Sequence, residues 1–278
     1  MRLARVRRQL NEPVELAVGL DDDRVVVLGD LAADPVAVLA DLGVAALTEC
    51  AGARTDVLAA ADLVFEPPIA HCSKICCLAL NYAAHAEESR LAVSPEPVLF
   101  FKPTTALVGH GAAVRPPART AHVEHEIELG VVIGRVTRDL DPADWRSAVA
   151  GYTVVNDMTA RDLQLRNMER NQPWDQAKGF DTFAPAGPYL VTPDEVPDPH
   201  DLDMTLSVAG QVRQHANTAW MVHRIPRLLA DLSDGMTLLP GDLIATGTTA
   251  GIAPLADGDE MRATITGVGT LVNRIEWH

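Results

Sequence analysis

The stretch Val123-Glu124-His125-Glu126-Ile127-Glu128-Leu129-Gly130-Val131-Val132-Ile133-Gly134 decides how this chain is read. Side chains alternate across a β-strand, so Glu124, Glu126 and Glu128 share one face and Val123, Ile127, Leu129, Val131 and Ile133 share the other. The plain reading of three aligned carboxylates is a solvated outer face. Gly130, Val132 and Gly134 continue the acidic face, however, and suit a face that enters packed structure. Carboxylates crowded in such a setting raise one another's pKa unless a cation offsets them, and Mg²⁺ or Mn²⁺ does so through its preference for oxygen donors. A further donor, Asp157, stands where the apolar run 152–155 passes through Asn156 into a helix-like stretch, a place where an Asp more commonly caps a helix.

Outward from this strand, short runs of β-favouring residues lie at 98–101, 152–155, 204–208, 243–246 and 261–265 between Gly, Pro or Asp. Helical candidates are fewer, at 143–149, 160–168 and 220–232. This mixture predicts an α+β fold built on antiparallel or mixed sheets, not an alternating parallel α/β array. Toward the start, the alternation of Ala4 and Val6 with Arg5 and Arg7 predicts a first strand, and 14–20, Asp21-Asp22-Asp23 and 25–28 form the run, turn and run of a hairpin. Residues 34–62, rich in Ala and Leu, predict one or two helices broken near Gly52. Pro67-Pro68 reads as a linker, which divides a small N-terminal α/β lobe over 1–70 from a main domain over 71–278 opened by a buried strand at 75–80.

With 278 residues, 47% of them hydrophobic, the chain can bury a sizeable core. Its formal charge of −15, from 38 acidic against 23 basic residues, opposes a general affinity for nucleic acid or anionic membrane. Cys50, Cys72, Cys76 and Cys77 show no CxxC spacing, and no apolar run approaches the ~20 residues of a membrane span. A cytoplasmic protein with reduced thiols is the expectation.

Six short segments, in this order, resemble the fumarylacetoacetate hydrolase family over about residues 74–277. They are Leu80-Asn81-Tyr82-Ala83-Ala84-His85-Ala86-Glu87-Glu88, Phe101-Lys102-Pro103, Glu126-Ile127-Glu128-Leu129-Gly130, Asn156-Asp157-Met158-Thr159-Ala160-Arg161-Asp162, Ala177-Lys178-Gly179-Phe180-Asp181 and Thr246-Gly247-Thr248. The resemblance implies a β-rich mixed sandwich roll with few helices. It implies that Glu126, Glu128 and Asp157 bind Mg²⁺ or Mn²⁺, with Glu124 outside the set. It makes His85 and Glu88 an acid/base pair, where Glu88 orients the imidazole and favours its charged form, on a segment reaching about Pro97 that reads as a lid. Lys178 looks like the family's active-site lysine. Arg161 and Gln164 become candidates for the substrate carboxylate, with Thr246, Gly247 and Thr248 as further donors to that anion and Lys102 in a supporting place. In isolation each of these has a plainer reading, such as a surface ion pair, a surface lysine or a turn glycine.

The implied substrate is a small 2-oxo acid. Hydrolysis of a C–C bond in an acylpyruvate or related 2,4-diketo acid comes first, and isomerisation or decarboxylation of 2-oxo-dienoic diacids uses the same apparatus. A catalytically silent binding protein would be expected to lack an acid/base residue, yet His85, Glu88 and Lys178 are present. A homodimer is implied as well. Two departures concern loop shape near the pocket: Ala79-Leu80 stands where the family commonly has Gly, and Thr248-Thr249-Ala250 replaces a Thr-Pro continuation. His125 on the apolar side of the acidic strand, Cys72, Cys76, Cys77 and the four Trp residues read as packing.

Overall fold

The computed structural model of the chain describes residues 1–21 and 23–277; Asp22, part of the expected hairpin turn, lies outside them. The N-terminal stretch forms β1 (Arg2–Arg7), β2 (Glu15–Gly19), β3 (Arg24–Val27), helix α1 (Pro35–Gly52), β4 (Val57–Ala59) and β5 (Val64–Glu66). Then come β6 (Ile75–Ala79), α2 (Ala83–Glu88), β7 (Val98–Lys102), β8 (Leu107–Val108), β9 (Ala113–Val114), β10 (Val123–Glu124) and β11 (Ile127–Ile133). The central part is β12 (Val149–Asn156), β13 (Thr159–Ala160), α3 (Arg161–Glu169), α4 (Asp175–Lys178) and β14 (Ala184–Val191). The chain closes with β15 (Asp203–Val208), β16 (Gln211–Asn217), α5 (Ile225–Ser233), β17 (Leu243–Ala245), β18 (Glu260–Ile265) and β19 (Gly269–Ile275).

These strands make the α+β architecture that the residue pattern predicts. A 12-stranded mixed sheet runs in the order β4-β3-β2-β1-β14-β12-β11-β17-β6-β7, with β5 on β1 and β8 on β14. A five-stranded sheet runs β16-β15-β18-β19-β9, and β10 pairs with β13 alone. β11 lies between β12 and β17 and is buried at every residue. Both of its faces are therefore packed, which is why its apolar side chains run on at 131–133 instead of alternating with solvent-facing ones. A side chain at Gly130 would meet Val155 and Thr153 at 2.7 and 2.8 Å, so glycine there lets β12 close on β11.

Three expected helices come out differently. The 34–62 region starts on an Asp34 cap, whose carboxylate accepts from Val36 N and Ala37 N, but its break is at Gly43 (φ +73), and the helix ends at Gly52. Beyond it Val57 and Leu58 pair with Val26 and Val25 as β4, so cross-strand packing overrides the local helical composition. α1 has the length and mean hydropathy, 1.4, of a membrane-crossing helix, yet the left-handed Gly43 divides it. Residues 142–148 form a 3₁₀ turn that leads straight into β12, and α5 begins only at Ile225, with Pro in its first turn.

The N-terminal strands are hydrogen-bonded into the main sheet. β1 pairs with β14 through Arg2 and Val191, and Leu3 and Leu190, while the Met1 amine donates to Thr192 Oγ1 at 2.6 Å. Ala4 and Val6 share a core with Val154 and Tyr189, and Leu3 and Leu16 share the other core with Val132 and Leu190.

Candidate active site

The acidic group is set by the ends of two neighbouring strands. β11 and β12 pair with Ile127 opposite Asn156, so Glu126 just before β11 and Asp157 just after β12 come together. Asn156 Oδ1 accepts from Glu126 N at 2.8 Å, and Asp157 N donates to Glu126 O at 2.8 Å, locking the junction. Glu128 follows two residues along. One carboxylate oxygen from each of Glu126, Glu128 and Asp157 lies within 4.8 Å of the others, at exposures of only 3%, 1% and 1%.

Such crowding requires compensation, and the surrounding cations supply it unevenly. Lys178 Nζ, at the end of α4, donates to Glu126 Oε2 at 2.9 Å and to Asp157 Oδ2 at 2.6 Å. Lys102 Nζ contacts Asp157 Oδ1 and donates to the carbonyls of Met158 (3.1 Å) and Phe183 (2.6 Å). Arg161, at the start of α3, donates to Glu124 and Glu126 and meets Gln164 Oε1. Burial drives the Glu126 carboxyl upward, but Lys178, Arg161 and His85 together hold it well below the usual range. The Lys178 ammonium, weakened by burial, is held above its ordinary value by Asp157 and Glu126.

Glu128 is the exception. It accepts from Gly247 N at 2.7 Å, and no salt bridge reaches it among the described residues. Burial, then Asp157 and Glu126, push its pKa well above the ordinary carboxylate value. Three buried oxygen donors with one uncompensated charge fit a hard divalent cation such as Mg²⁺ or Mn²⁺.

His85 lies on α2, 7% exposed, with Nδ1 3.6 Å from Glu88 Oε2, beyond hydrogen-bond reach. Glu88 accepts instead from Gly251 N at 3.0 Å. Burial lowers the His85 pKa; Glu126 and Glu88 favour the charged imidazole, as expected of Glu88, but burial outweighs them and His85 is neutral at neutral pH. The segment after α2 is held by His223, whose Nε2 is 3.1 Å from Ser94 O.

One cavity of about 260 Å³ gathers His85, Glu88, Glu126, Glu128, Arg161, Gln164, Lys178 and Thr248, against an apolar wall that includes Phe100, Met168 and Trp174. Asp157, bonded to both lysines, stands behind this lining. Thr246 and Gly247 do not open onto the cavity. Their donors are engaged on β11: Thr246 Oγ1 to Leu129 O at 2.9 Å, Gly247 N to Glu128, and similarly Thr248 Oγ1 to Ile127 O at 2.8 Å. Gly247 has φ +94, and a side chain there would fall 2.6 Å from Asn81 Cβ, so the loop passes too close for any other residue. Asn81 Nδ2 donates to Thr246 O at 2.7 Å and to His223 O at 3.0 Å, while its Oδ1 accepts from His223 N at 2.7 Å. Leu80 occupies the left-handed region at φ +56, which shows what backbone a glycine would serve there.

Lys102 takes the supporting place that the resemblance implies, bonded to Asp157 behind the cavity lining. Phe100 and Lys102 alternate onto the buried side of β7, and a lysine on an inward face needs a buried anion. His125 is buried as expected, with Nδ1 3.0 Å from Gln214 Oε1, although Nε2 has no partner among the described residues.

Comparison with known proteins agrees with this geometry. The family described as fumarylacetoacetate (FAA) hydrolase, C-terminal, matches residues 74–276. An uncharacterised protein of Pyrococcus abyssi is 44% identical over 203 residues, covering 73% of this chain and 90% of its own. Maleylpyruvate hydrolase from Sphingobium sp. SYK-6, solved with manganese(II) and pyruvate, superposes with a TM-score of 0.84 at 33% identity, over 100% of this chain and 99% of its own. The 2-hydroxyhepta-2,4-diene-1,7-dioate isomerase of Mycobacterium marinum gives 0.78 at 35% identity, over 100% and 98%. The chain is an enzyme of the fumarylacetoacetate hydrolase family, whose relatives are metal-dependent hydrolases and isomerases.

Proposed function

We propose that this enzyme hydrolyses a C–C bond in an acylpyruvate or related 2,4-diketo acid, with Glu126, Glu128 and Asp157 holding Mg²⁺ or Mn²⁺. The observation that carries the reading is Glu128, a buried carboxylate left without a cation, on the same cavity as a neutral His85. The manganese and pyruvate bound to the Sphingobium hydrolase support it. When bound, the ion supplies a Lewis acid for the oxygens of the 2-oxo acid.

The chain's own residues account for the remainder. Arg161 and Lys178 offer positive charge to the substrate carboxylate and to the developing oxyanion, and Gln164 adds an amide. His85, with Nδ1 turned toward Glu88, takes a proton from water at Nε2. The resulting hydroxide adds to the carbonyl distal to the carboxylate, the bond from that carbon to the methylene breaks, and the methylene carbon is protonated. The products are pyruvate and a carboxylic acid, one water being consumed.

Purified enzyme with Mn²⁺ or Mg²⁺ should release pyruvate from acetylpyruvate or fumarylpyruvate and lose that activity on chelation. Absence of pyruvate across a panel of acylpyruvates would sink the proposal. The identity to the M. marinum isomerase favours a second reading on the same site, isomerisation or decarboxylation of an oxo-dienoic diacid. Absorbance of such diacids and CO₂ release, followed together, discriminate the two. A cytoplasmic homodimer completes the proposal. Support for a second copy is the edge strand β7, where Leu99 and Phe101 are exposed, and light scattering on the purified protein tests it.

A further inference from the structure

Gln214 lies on β16, in the five-stranded sheet, away from every strand that carries a carboxylate of the site. It is fully buried, and its amide is engaged through all its donors and acceptors. Nε2 donates to Thr248 Oγ1 at 2.9 Å and to Thr249 O at 2.8 Å. Oε1 accepts from Ile127 N at 3.1 Å and faces His125 Nδ1 at 3.0 Å. A flipped amide would set NH₂ against the Ile127 N–H and oxygen against the Thr249 carbonyl, so the orientation is determined. His125 Nδ1 must then be the donor.

The two segments joined by this amide are the ones that frame the site. Ile127 lies between Glu126 and Glu128 at the start of β11. Thr248 and Thr249 follow Gly247, whose N–H holds Glu128, and they precede Gly251, whose N–H holds Glu88. The loop is pressed on the same strand at its far end, since a side chain at Gly251 would fall 2.0 Å from Arg213 O. Thr248 Oγ1 closes the ring by donating to Ile127 O.

We infer that Gln214 is a positioning residue: its amide sets loop 248–251 against the start of β11, so that Glu128 and Glu88 are presented to one cavity. The inference rests on the metal-site reading above. A saturated buried amide is a directional link, and removing it leaves Ile127 N, Thr249 O and His125 Nδ1 without partners next to the proposed ligands. Residues that act behind metal ligands in this way commonly govern affinity by about 10- to 100-fold.

Mn²⁺ titration by calorimetry tests this on the full chain as wild type, Gln214→Met, Gln214→Asn and Leu271→Ala. Met keeps the volume and loses the hydrogen bonds, while Asn keeps the amide and loses its reach, which preserves the test where Met prevents folding. Leu271, buried in β19 of the same sheet, controls for loss of stability alone. We expect the Mn²⁺ Kd to rise about 10- to 100-fold in the Gln214 variants and to be unchanged in Leu271→Ala. At saturating Mn²⁺, kcat on acylpyruvate should remain reduced in the Gln214 variants, because Glu88 is also displaced. Wild-type affinity in both Gln214 variants, or an equal loss in Leu271→Ala, would overturn the inference. Wild-type protein that takes up no Mn²⁺ would instead overturn the metal-site reading beneath it.

Discussion

The acidic group and the His85 arm face one cavity but are built in opposite ways. Glu126, Glu128 and Asp157 sit at the buried ends of two central strands, and hydrogen bonds with Asn156, Gly247, Lys102 and Lys178 fix them. His85 and Glu88 ride on a six-residue helix with no side-chain cap, and Glu88 remains 34% exposed with its oxygen 3.6 Å from the imidazole. The floor is assembled by folding. The arm has few fixed contacts, as suits a part that adjusts when substrate enters.

The largest expected effect breaks the arm. His85→Ala should lower kcat by about 10²- to 10⁴-fold, as loss of a general base does, while Mn²⁺ affinity stays within about threefold of wild type. A parallel fall in affinity would show that floor and arm are one unit. The remaining wild-type contrast lies in pH: kcat/KM should fall as pH drops through the His85 pKa, which lies below 6.5, and an acid limb centred above that value would reject a neutral buried base.

Asp157→Ala leaves Lys102 and Lys178 buried with a partner removed, so urea unfolding should show a loss of about 3–5 kcal/mol. Glu88→Ala, at a partly exposed site, should cost no more than about 1 kcal/mol. Equal losses would erase the distinction between rigid floor and loose arm.

Proton release sharpens the same contrast. In the metal-free protein Glu128 titrates above its ordinary 4.5, so the folded state holds a proton that the unfolded state gives up, and this contribution to stability declines as pH rises from that value through the folded pKa. On the proposed metal-site reading, Mn²⁺ takes the place of that proton. Calorimetry in buffers of different ionisation enthalpy should find up to about one proton released per ion, and none would mean that Glu128 is already ionised. The smallest effect belongs to Leu80, which precedes α2: Leu80→Gly relieves a left-handed backbone but frees the unfolded chain, and the two should cancel to within about 1 kcal/mol in thermal unfolding.

Local pattern made much of this legible. Alternation and apolar runs identified β6, β11, β12 and β18, and the spacing of acids with the family resemblance brought Glu126, Glu128 and Asp157 to one place. What sequence could not show was which distant strands meet. Asp157 is the anion that Lys102 finds because β7 and β12 belong to one sheet, and Gln214 reaches Ile127 from β16 of the other sheet. The net balance at His85 lay beyond the sequence for a related reason: the charge of Glu88 is readable three residues away, whereas burial is a property of the assembled cavity.

The pairing of β1 with β14 has a practical bearing on how the enzyme can be trimmed. A chain cut to begin at residue 74, where the family match starts, would bare the flank of β14 beside Leu190 and Val191 and strip apolar cover from both cores. An open, uncharged strand flank is a template for self-association. A version shortened in this way should therefore self-associate more than the full chain, which light scattering on the two would show.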